Sequence, residues 1–449
     1  MSVRLSTRTK LIYGSGDTGF SLTQTILGAY FAIFLTDVVG VAPGIAAIAI
    51  FIGRSWDYVN DPIVGYISDH TKSKLGRRRP FLIFGAAPFA LAFCMLWWRP
   101  TFTGNIALAV YYAIAYLLFD TTATIVYMPY FALTPELATE YDERTSLTSY
   151  RMFFSILASL IAFSIPLMII GAFRPENANR VLLMGGIFAF VSAAPLVLVF
   201  FGTTENASKE REPDAGILDS VRAMMRNRPF RISLGLYLCT WVAIDIMQAT
   251  LLYFLKYNVG REDQSDLILA SIFVSAIVAL PLWNVLSKKF QKRTAFVAGM
   301  VFWIIVQLVI VSLGPSTPLA LLLGLCLCAG IGVSAAHVLP WAIIPDSIEW
   351  DEWKTGNRRE GLFYSAVTLT KKVTSSIAIP LALLLLDAAD YVPNAAVQSR
   401  TTLLTIRILT GPIPAALLIC AIVLALRYPL SREKFAEIKA EIDARKGAR

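Results

Sequence analysis

An all-α polytopic membrane protein, with twelve transmembrane helices arranged as two six-helix halves, is the fold class this sequence predicts. Three observations predict it. Hydrophobic residues make up 56% of the 449 positions and charged residues 16%, against roughly 25% charged in soluble domains. Mean hydropathy is +0.62. Apolar runs of about 20 residues, each enough to cross a hydrocarbon layer about 30 Å thick, recur along the whole chain. The same numbers exclude secreted, fibrous and disordered classes.

Residues 1–10 are polar and basic and carry no cleavable leader, so the first apolar run, about 12–36, stays as a span. The next runs fall at about 43–67, 80–98, 104–133, 147–172 and 180–202. Residues 203–231 form the longest polar stretch between runs and read as a middle loop. Six further runs follow at about 232–256, 266–287, 294–313, 317–344, 362–388 and 402–426. The third and ninth spans are the shortest. The expected organisation is an N-terminal half over 1–202, the middle loop 203–231, a C-terminal half over 232–426 and a tail over 427–449. Six plus six is the two-halves arrangement of a secondary transporter.

The net charge of +9 does not point to nucleic acid. With the N-terminus inside, about 29 of the 40 Lys and Arg fall in cytoplasmic segments, about six in external loops and about five inside spans, as the positive-inside rule expects. The inside set includes Lys72, Lys74, Arg77, Arg78, Arg79, Arg228, Lys288, Lys289, Lys292 and Arg293. Both termini are expected in the cytoplasm of a cell, in bacteria an inner-membrane, multi-pass arrangement. The tail has mixed charge and helical propensity and reads as a surface helix. Asn206-Ala207-Ser208 has the form of a glycosylation sequon on the wrong side of the membrane. The five cysteines lie in apolar runs, and neither a disulfide nor a metal site follows from their spacing.

Ionisable groups inside spans carry the chemistry, because each costs roughly 2.5–3.5 kcal/mol at a helix centre and needs a partner or water. Span two reads Arg54-Ser55-Trp56-Asp57-Tyr58-Val59-Asn60-Asp61-Pro62. Asp57 and Asp61 are four apart and share a helix face, with Arg54 one turn before and Asn60 nearby. Two carboxylates about 6 Å apart in low dielectric cannot both stay charged without a cation. Sodium fits, since hard cations take oxygen ligands, and so does a proton on one carboxyl. A plain Arg54–Asp57 packing pair leaves Asp61 unexplained.

Further intramembrane charges are Asp17, Asp120, Arg151, Lys371, Lys372 and Arg407. Lys371 and Lys372 point about 100° apart on a helix, so one of them faces a cavity. Arg407 sits near a span end, where such side chains snorkel. The run Gly14-Ser15-Gly16-Asp17-Thr18-Gly19 lacks the lysine and strand of a phosphate loop, and its glycines read as close helix packing. No nucleophile–base pair appears, and His70 and His337 are isolated, so an enzyme is not expected.

The loop after span two runs from Gly65 through Asp69 to Gly76-Arg77-Arg78-Arg79. It resembles the loop 2–3 signature of the major facilitator superfamily, which implies that fold. In that superfamily such acids and arginines latch helix ends and are remade during alternating access. Gly65, Asp69, Gly76, Arg77 and Arg78 are therefore the expected conformational gate. Within the superfamily, Tyr13-Gly14, Thr36 to Gly40, Arg54 to Pro62, Asp142-Glu143-Arg144, Asp346 to Lys354 and Tyr364 to Lys372 resemble the glycoside–pentoside–hexuronide cation symporters.

That resemblance implies a cation site at Asp57, Asn60, Asp61 and Thr124, and a coupling role for Arg54 and for Lys372, which salt-bridges the acids when the cation is absent. Thr368 lies one turn earlier, on the solute side. The acids with which melibiose-type permeases hold a galactoside fall on Ser21 and Tyr127 here. Two cavity tryptophans fall on His337 and Phe131, and Arg151 is one residue out of register. Asp17 and Asp120 lie one or two turns from the lost acids. The expected solute site is Asp17, Ser21, Asp120, Tyr127, Phe131, Arg151, His337 and Thr368. The expectation is a sodium- or proton-coupled symporter importing a small polar solute, a sugar or glycoside, by alternating access. It works as a monomer in the membrane with no cofactor beyond the coupling ion. The alternative is a sodium-dependent lysophospholipid transporter, since the aromatic residues Tyr127, Tyr130 and Phe131 suit an amphiphile.

Overall fold

The computed structural model describes residues 5–138, 141–205, 224–356 and 359–447, which form helices joined by short loops, with no strand among the described residues. In chain order the helices are α1 (Thr7–Ser15), α2 (Asp17–Ile33), α3 (Pro43–Ser55), α4 (Asp57–His70), α5 (Arg79–Trp97), α6 (Asn105–Ala132), α7 (Thr134–Leu137), α8 (Tyr141–Ile170) and α9 (Ala178–Gly202). They continue as α10 (Arg228–Tyr253), α11 (Ser265–Phe290), α12 (Lys292–Ser312), α13 (Leu319–Thr355), α14 (Glu360–Ala388), α15 (Arg400–Thr410), α16 (Pro412–Leu426) and α17 (Arg432–Gly447). The sequon at Asn206 and most of the middle loop lie outside the described residues.

Among the described residues, 11 helical segments are long and apolar enough to cross a membrane, from Thr7–Val39 to Arg400–Leu426. The remaining expected span, 43–67, is the pair α3–α4. Its first half, Ile45 to Ile52, is apolar, and its second half carries Arg54, Asp57 and Asp61, which lower its hydropathy. The helix tightens at Trp56, whose N–H reaches back to the Gly53 carbonyl at 3.3 Å, and a new helix starts at Asp57. The interruption thus falls where the sequence concentrates its charge.

The chain divides into two compact units. The first comprises Met1–Glu210, Glu262–Asp266 and Ile379–Thr402. In it α5 packs on α6 and α9, α2 on α8, and α3 on α6. Its core is aromatic: Phe31, Phe34, Phe93, Trp97 and Tyr112 are buried and pack edge-to-face, an arrangement that favours ring pairs beyond their buried area. The two short segments from later in the chain join this unit by polar contacts. The buried Asp37 carboxylate accepts from Tyr391 Oη at 2.5 Å and Thr36 Oγ1 at 2.8 Å, and its carbonyl accepts from Asn394 Nδ2 at 2.6 Å. Glu262 accepts from the Phe173 N–H at 3.1 Å and Arg174 at 3.3 Å.

The second unit comprises Arg211–Arg261, Leu267–Ala378 and Leu403–Arg449. Here α10 packs on α13 and α16, and α12 packs on α13 and α16. Arg407, which lies near a span end, caps the end of α12. Its Nη1 donates to the Val311 carbonyl at 3.1 Å and its Nη2 to the Leu313 carbonyl at 3.0 Å. Helix ends leave such carbonyls without intrahelical donors, and a guanidinium supplies several at once. The tail helix α17 packs on α13 and buries Ile438 and Ile442, so it is a docked helix with one apolar edge.

One repeat links the two units. Phe34-Leu35-x-x-x-Val39-Gly40 ends span one, and Phe254-Leu255-x-x-x-Val259-Gly260 ends span seven. Both segments, Phe34–Val39 and Phe254–Val259, wind as π-helix. Both stop at a left-handed glycine, Gly40 at φ 89° and Gly260 at φ 70°, a conformation that side chains with a Cβ disfavour. The next N–H in each case, Val41 or Arg261, returns to the Leu35 or Leu255 carbonyl at 2.9 Å.

Candidate cation and solute site

The charged end of α3–α4 lies against α6. Arg54 Nε donates to Tyr116 Oη at 3.1 Å, and Trp56 Nε1 donates to Thr121 Oγ1 at 2.9 Å. Asn60 is buried and its Nδ2 donates to the Asp120 carbonyl at 3.4 Å, which turns its amide oxygen to the other side. Thr124 Oγ1 donates to Asp61 Oδ1 at 3.3 Å. Asp57 begins α4, where the helix N-terminus favours negative charge. Pro62 has no N–H, so the Tyr58 carbonyl lacks the helical donor that position would give. Two carboxylates, one amide oxygen and one hydroxyl thus come from α4 and α6, all hard oxygen donors of the kind an alkali cation takes. They fit sodium as a transported ion, and a carboxyl of the pair fits a proton.

The expected solute residues fall in two groups within the first unit and one within the second. Asp120 is buried on α6, one turn from Thr124, and its carbonyl takes the Asn60 amide, so it stands with the span-two cluster. Further along α6, Tyr127 and Phe131 face span one. Asp17 pairs with Arg151 Nε at 3.6 Å, and the Arg151 guanidinium lies over the Phe131 ring at 4.7 Å. Ser21 shares a hydroxyl contact of 2.6 Å with Ser155. Tyr127 is buried, and its hydroxyl has no hydrogen-bond partner among the described residues. Tyr13 and Tyr130 stack at 4.9 Å, and Tyr130 Oη donates to the Tyr13 carbonyl at 2.6 Å. The glycines of the Asp17 run serve this packing, for a Cβ on Gly19 would lie 2.2 Å from the Ser192 carbonyl oxygen.

His337 and Thr368, the third group, lie in the second unit. His337 Nδ1 meets the Val333 carbonyl at 2.9 Å, and its ring stands edge-on to Trp241 at 5.1 Å. Thr368 is exposed and Lys372 half-buried on α14. Sequence reading missed Asp245 of α10, an acid inside span seven, whose carboxylate accepts a hydrogen bond from Ser375 Oγ. Lys371 holds its ammonium 3.5 Å from the centre of the Trp241 ring. A single acid in the apolar run 232–256 was the available signal.

The loop residues expected to gate the protein pair with one another and with two acids, Glu136 and Glu205, that the sequence did not single out. Arg78 bridges Asp69 at 3.0 Å and Glu136 at 2.7 Å, and Arg77 reaches Glu136 at 2.6 Å. Glu205 accepts from the backbone N–H groups of Arg78 and Arg79 at 2.7 Å and of Arg77 at 2.5 Å, capping the start of α5. Gly76 turns the loop at φ 105°, and Gly65 lies on the α4 face beside Met128. Of the resemblance stretch at 142–144, the side chains of Asp142 and Arg144 lie outside the described residues, while Glu143 pairs with Lys10 at 2.9 Å.

Comparison with known proteins places the chain. Residues 12–432 match the family model described as MFS/sugar transport protein. An uncharacterized symporter of Synechocystis is 31% identical, the match covering 98% of this chain and 97% of that one. The sodium-dependent lysophosphatidylcholine symporter 1-B of Danio rerio is 30% identical over 96% of this chain and 88% of its own. The fold matches that of a bacterial homologue of the human lysosomal transporter Spinster, in an inward-facing conformation, with a TM-score of 0.64 at 12% identity, covering 96% of this chain and 97% of the other.

Proposed function

The chain belongs to the MFS/sugar transport protein family, and from that premise we propose that it is a sodium- or proton-coupled symporter that imports a small polar solute of the sugar or glycoside type by alternating access. One observation carries the reading: Asp57, Asn60, Asp61 and Thr124 bring hard oxygen donors to one stretch of α4 and α6. Charge placed inside a span carries an insertion cost that a bound cation would help offset. One positive charge moving inward at 100 mV supplies about 2.3 kcal/mol for solute accumulation. Solute and cation then raise each other's affinity by the same factor. Lys372 is assigned the coupling role, standing in for the cation, and Arg54 holds Tyr116 beside the acids.

The likeness to glycoside–pentoside–hexuronide symporters supports the sugar-type solute, and symporter relatives support the coupling. A second reading, a lysophospholipid or other amphiphile, is favoured by the first unit's wall. Where the sugar-holding acids would stand, Ser21 is bonded to Ser155 and Tyr127 is packed among rings, and one relative is named for lysophosphatidylcholine. The excess of Lys and Arg around Lys72 to Arg79 supports cytoplasmic termini in a cell membrane. The test is uptake into liposomes holding the full chain, with labelled glycosides, uronates and lysophosphatidylcholine, under imposed sodium or pH gradients. Uptake should require a gradient and vanish in Asp57→Asn with Asp61→Asn. Gradient-independent uptake, or a double variant that accumulates solute as wild type does, overturns the proposal.

A further inference from the structure

In the second unit α11 and α12 meet across a single residue. α11 ends at Phe290, α12 begins at Lys292, and Gln291 between them turns the chain at φ 74°. So tight a turn crowds Lys288, Lys289, Lys292 and Arg293 at the ends of two membrane helices. The tail helix α17 adds a fifth cation, since Arg432 Nη1 donates to the Lys288 carbonyl at 2.8 Å. Asp346 answers one of them, taking Lys292 at 2.6 Å. Glu433 follows Arg432 along the exposed face of the tail. Lys288, Lys289, Arg293 and Arg432 are exposed, and none of the four has a carboxylate partner among the described residues.

The outer face of α11 leads to this cluster. Val278, Leu282, Val285 and Lys289 are spaced by four, three and four, so they share one helix face. The three apolar members are 75%, 46% and 62% exposed. From Val278 to Lys289 the helix rises about 16 Å, the depth of one leaflet of a hydrocarbon layer about 30 Å thick. Helix electrostatics add to the cluster. Cations at the start of a helix oppose its dipole, yet α12 opens on Lys292 and Arg293, with no acid in its first turn and no side chain capping its N-terminus. The basic loop of the first unit differs. There Arg77 and Arg78 converge on Glu136, and Arg79 donates to the Phe200 carbonyl at 2.6 Å and lies over the Phe200 ring at 4.8 Å. Positive-inside bias explains the side of the membrane that both clusters share. It does not explain why one is neutralised within the protein and the other is left exposed at the end of an apolar track.

We propose that Lys288, Lys289, Arg293 and Arg432 bind the headgroup of an anionic diacyl phospholipid of the cytoplasmic leaflet, with an acyl chain along Val278, Leu282 and Val285. The inference rests on the orientation given under the proposed function, which puts this turn at the cytoplasmic face. The lipid is a bound partner, distinct from the transported solute. Basic clusters beside a membrane helix are drawn to the negative cytoplasmic leaflet, and hydrogen bonds from ammonium and guanidinium groups to a phosphate are the strong ones. Because Arg432 belongs to α17, the headgroup also ties the tail to the α11–α12 turn. That adds to the seat the tail already has on α13, where Ile438 and Ile442 are buried and Trp353 Nε1 donates to Glu441 at 2.7 Å.

Thermal unfolding of the purified full chain in neutral detergent tests this, since a ligand raises the midpoint by mass action. The probes are dioleoylphosphatidylglycerol, dioleoylphosphatidylcholine of the same chains, and potassium phosphate. Phosphatidylglycerol should raise the midpoint well beyond phosphatidylcholine, and phosphate at the same concentration should not raise it. Apparent affinity for phosphatidylglycerol should fall at least tenfold when Lys288→Gln, Lys289→Gln and Arg293→Gln are combined, and severalfold in Arg432→Gln. Lys72→Gln with Lys74→Gln, in the other basic loop, should stay within threefold of wild type. An unchanged lipid-free midpoint in the triple variant shows the fold preserved, and Lys289→Glu alone reports the same loss should the triple variant unfold early. The proposal is overturned when the two lipids act alike, when phosphate matches phosphatidylglycerol, or when both the triple variant and Lys289→Glu bind as wild type does. Failure of the orientation is read separately. Lys289→Cys should gain no label over wild type from a membrane-impermeant maleimide in intact cells and should react after permeabilisation. Labelling in intact cells overturns the orientation, while the titration in detergent, which has no sides, stands.

Discussion

Asp61→Asn isolates the charge of the proposed cation site with little change in shape. The amide keeps an oxygen beside Thr124 Oγ1, which lies 3.3 Å from Asp61 Oδ1, but removes one unit of negative charge. A full charge about 4 Å from a cation is worth about 4 kcal/mol at an effective dielectric of about 20. At about 1.4 kcal/mol per decade, cation affinity should fall nearly a thousandfold. Thr124→Val provides the scale, since it deletes one neutral oxygen, about 1 kcal/mol or a factor of five to ten. The assay is a sodium titration of the unfolding midpoint, repeated as a pH series in sodium-free buffer for the proton alternative. In the first case Asp61→Asn shifts the titration far beyond Thr124→Val, and in the second it flattens the pH dependence. A response to both ions within threefold of wild type in Asp61→Asn, or a larger loss in Thr124→Val, refutes the charge-based account of this site.

Three further outcomes follow from packing and pairing. Gly19→Ala puts a methyl 2.2 Å from the Ser192 carbonyl oxygen and 2.4 Å from Tyr127 Oη, so overpacking of about 1–3 kcal/mol should lower the unfolding midpoint. Gly186→Ala, which meets nothing within 4 Å, should not lower it. Glu136→Gln removes the charge on which Arg77 and Arg78 converge at 2.6 and 2.7 Å. The cost of breaking a buried pair, discounted because a third of the Arg77 side chain is exposed, is about 2 kcal/mol, to be read as a lower midpoint and faster proteolysis of the 71–78 loop. Tyr391→Phe takes a donor from the buried Asp37 carboxylate and should cost about 1.5–3 kcal/mol, while sodium affinity per folded molecule stays as in wild type.

The parts of this site that could be read in the sequence are those where a residue is costly by itself. Asp57 and Asp61 are conspicuous because carboxylates in an apolar run need a reason, and their spacing by four puts them on one face whatever packs there. Thr124 and the gate residues were reached through resemblance, and the structure sets Thr124 beside Asp61. What stayed hidden depends on pairs distant in sequence. Glu136 and Glu205 look like ordinary loop acids until Arg77 and Arg78 fold onto them. Asp120, expected among the solute residues, has its carbonyl bonded to Asn60 of α4, a contact that a helix stripe does not reveal until its partner is known. Asp245 gave a signal, a lone acid in span seven, but without a patterned companion it was passed over.

The two units also differ in a way that bears on recognition. They share a backbone device, the π-turn ending in Gly40 and Gly260, and each sets a basic side chain on an aromatic ring. In the first unit that base is already paired with an acid at 3.6 Å and walled by packed tyrosines. In the second it stands beside two buried donors that lack acceptors among the described residues. The π-turn and the ring-bound base are thus common to both units, and what differs between them is the set of side chains around that base.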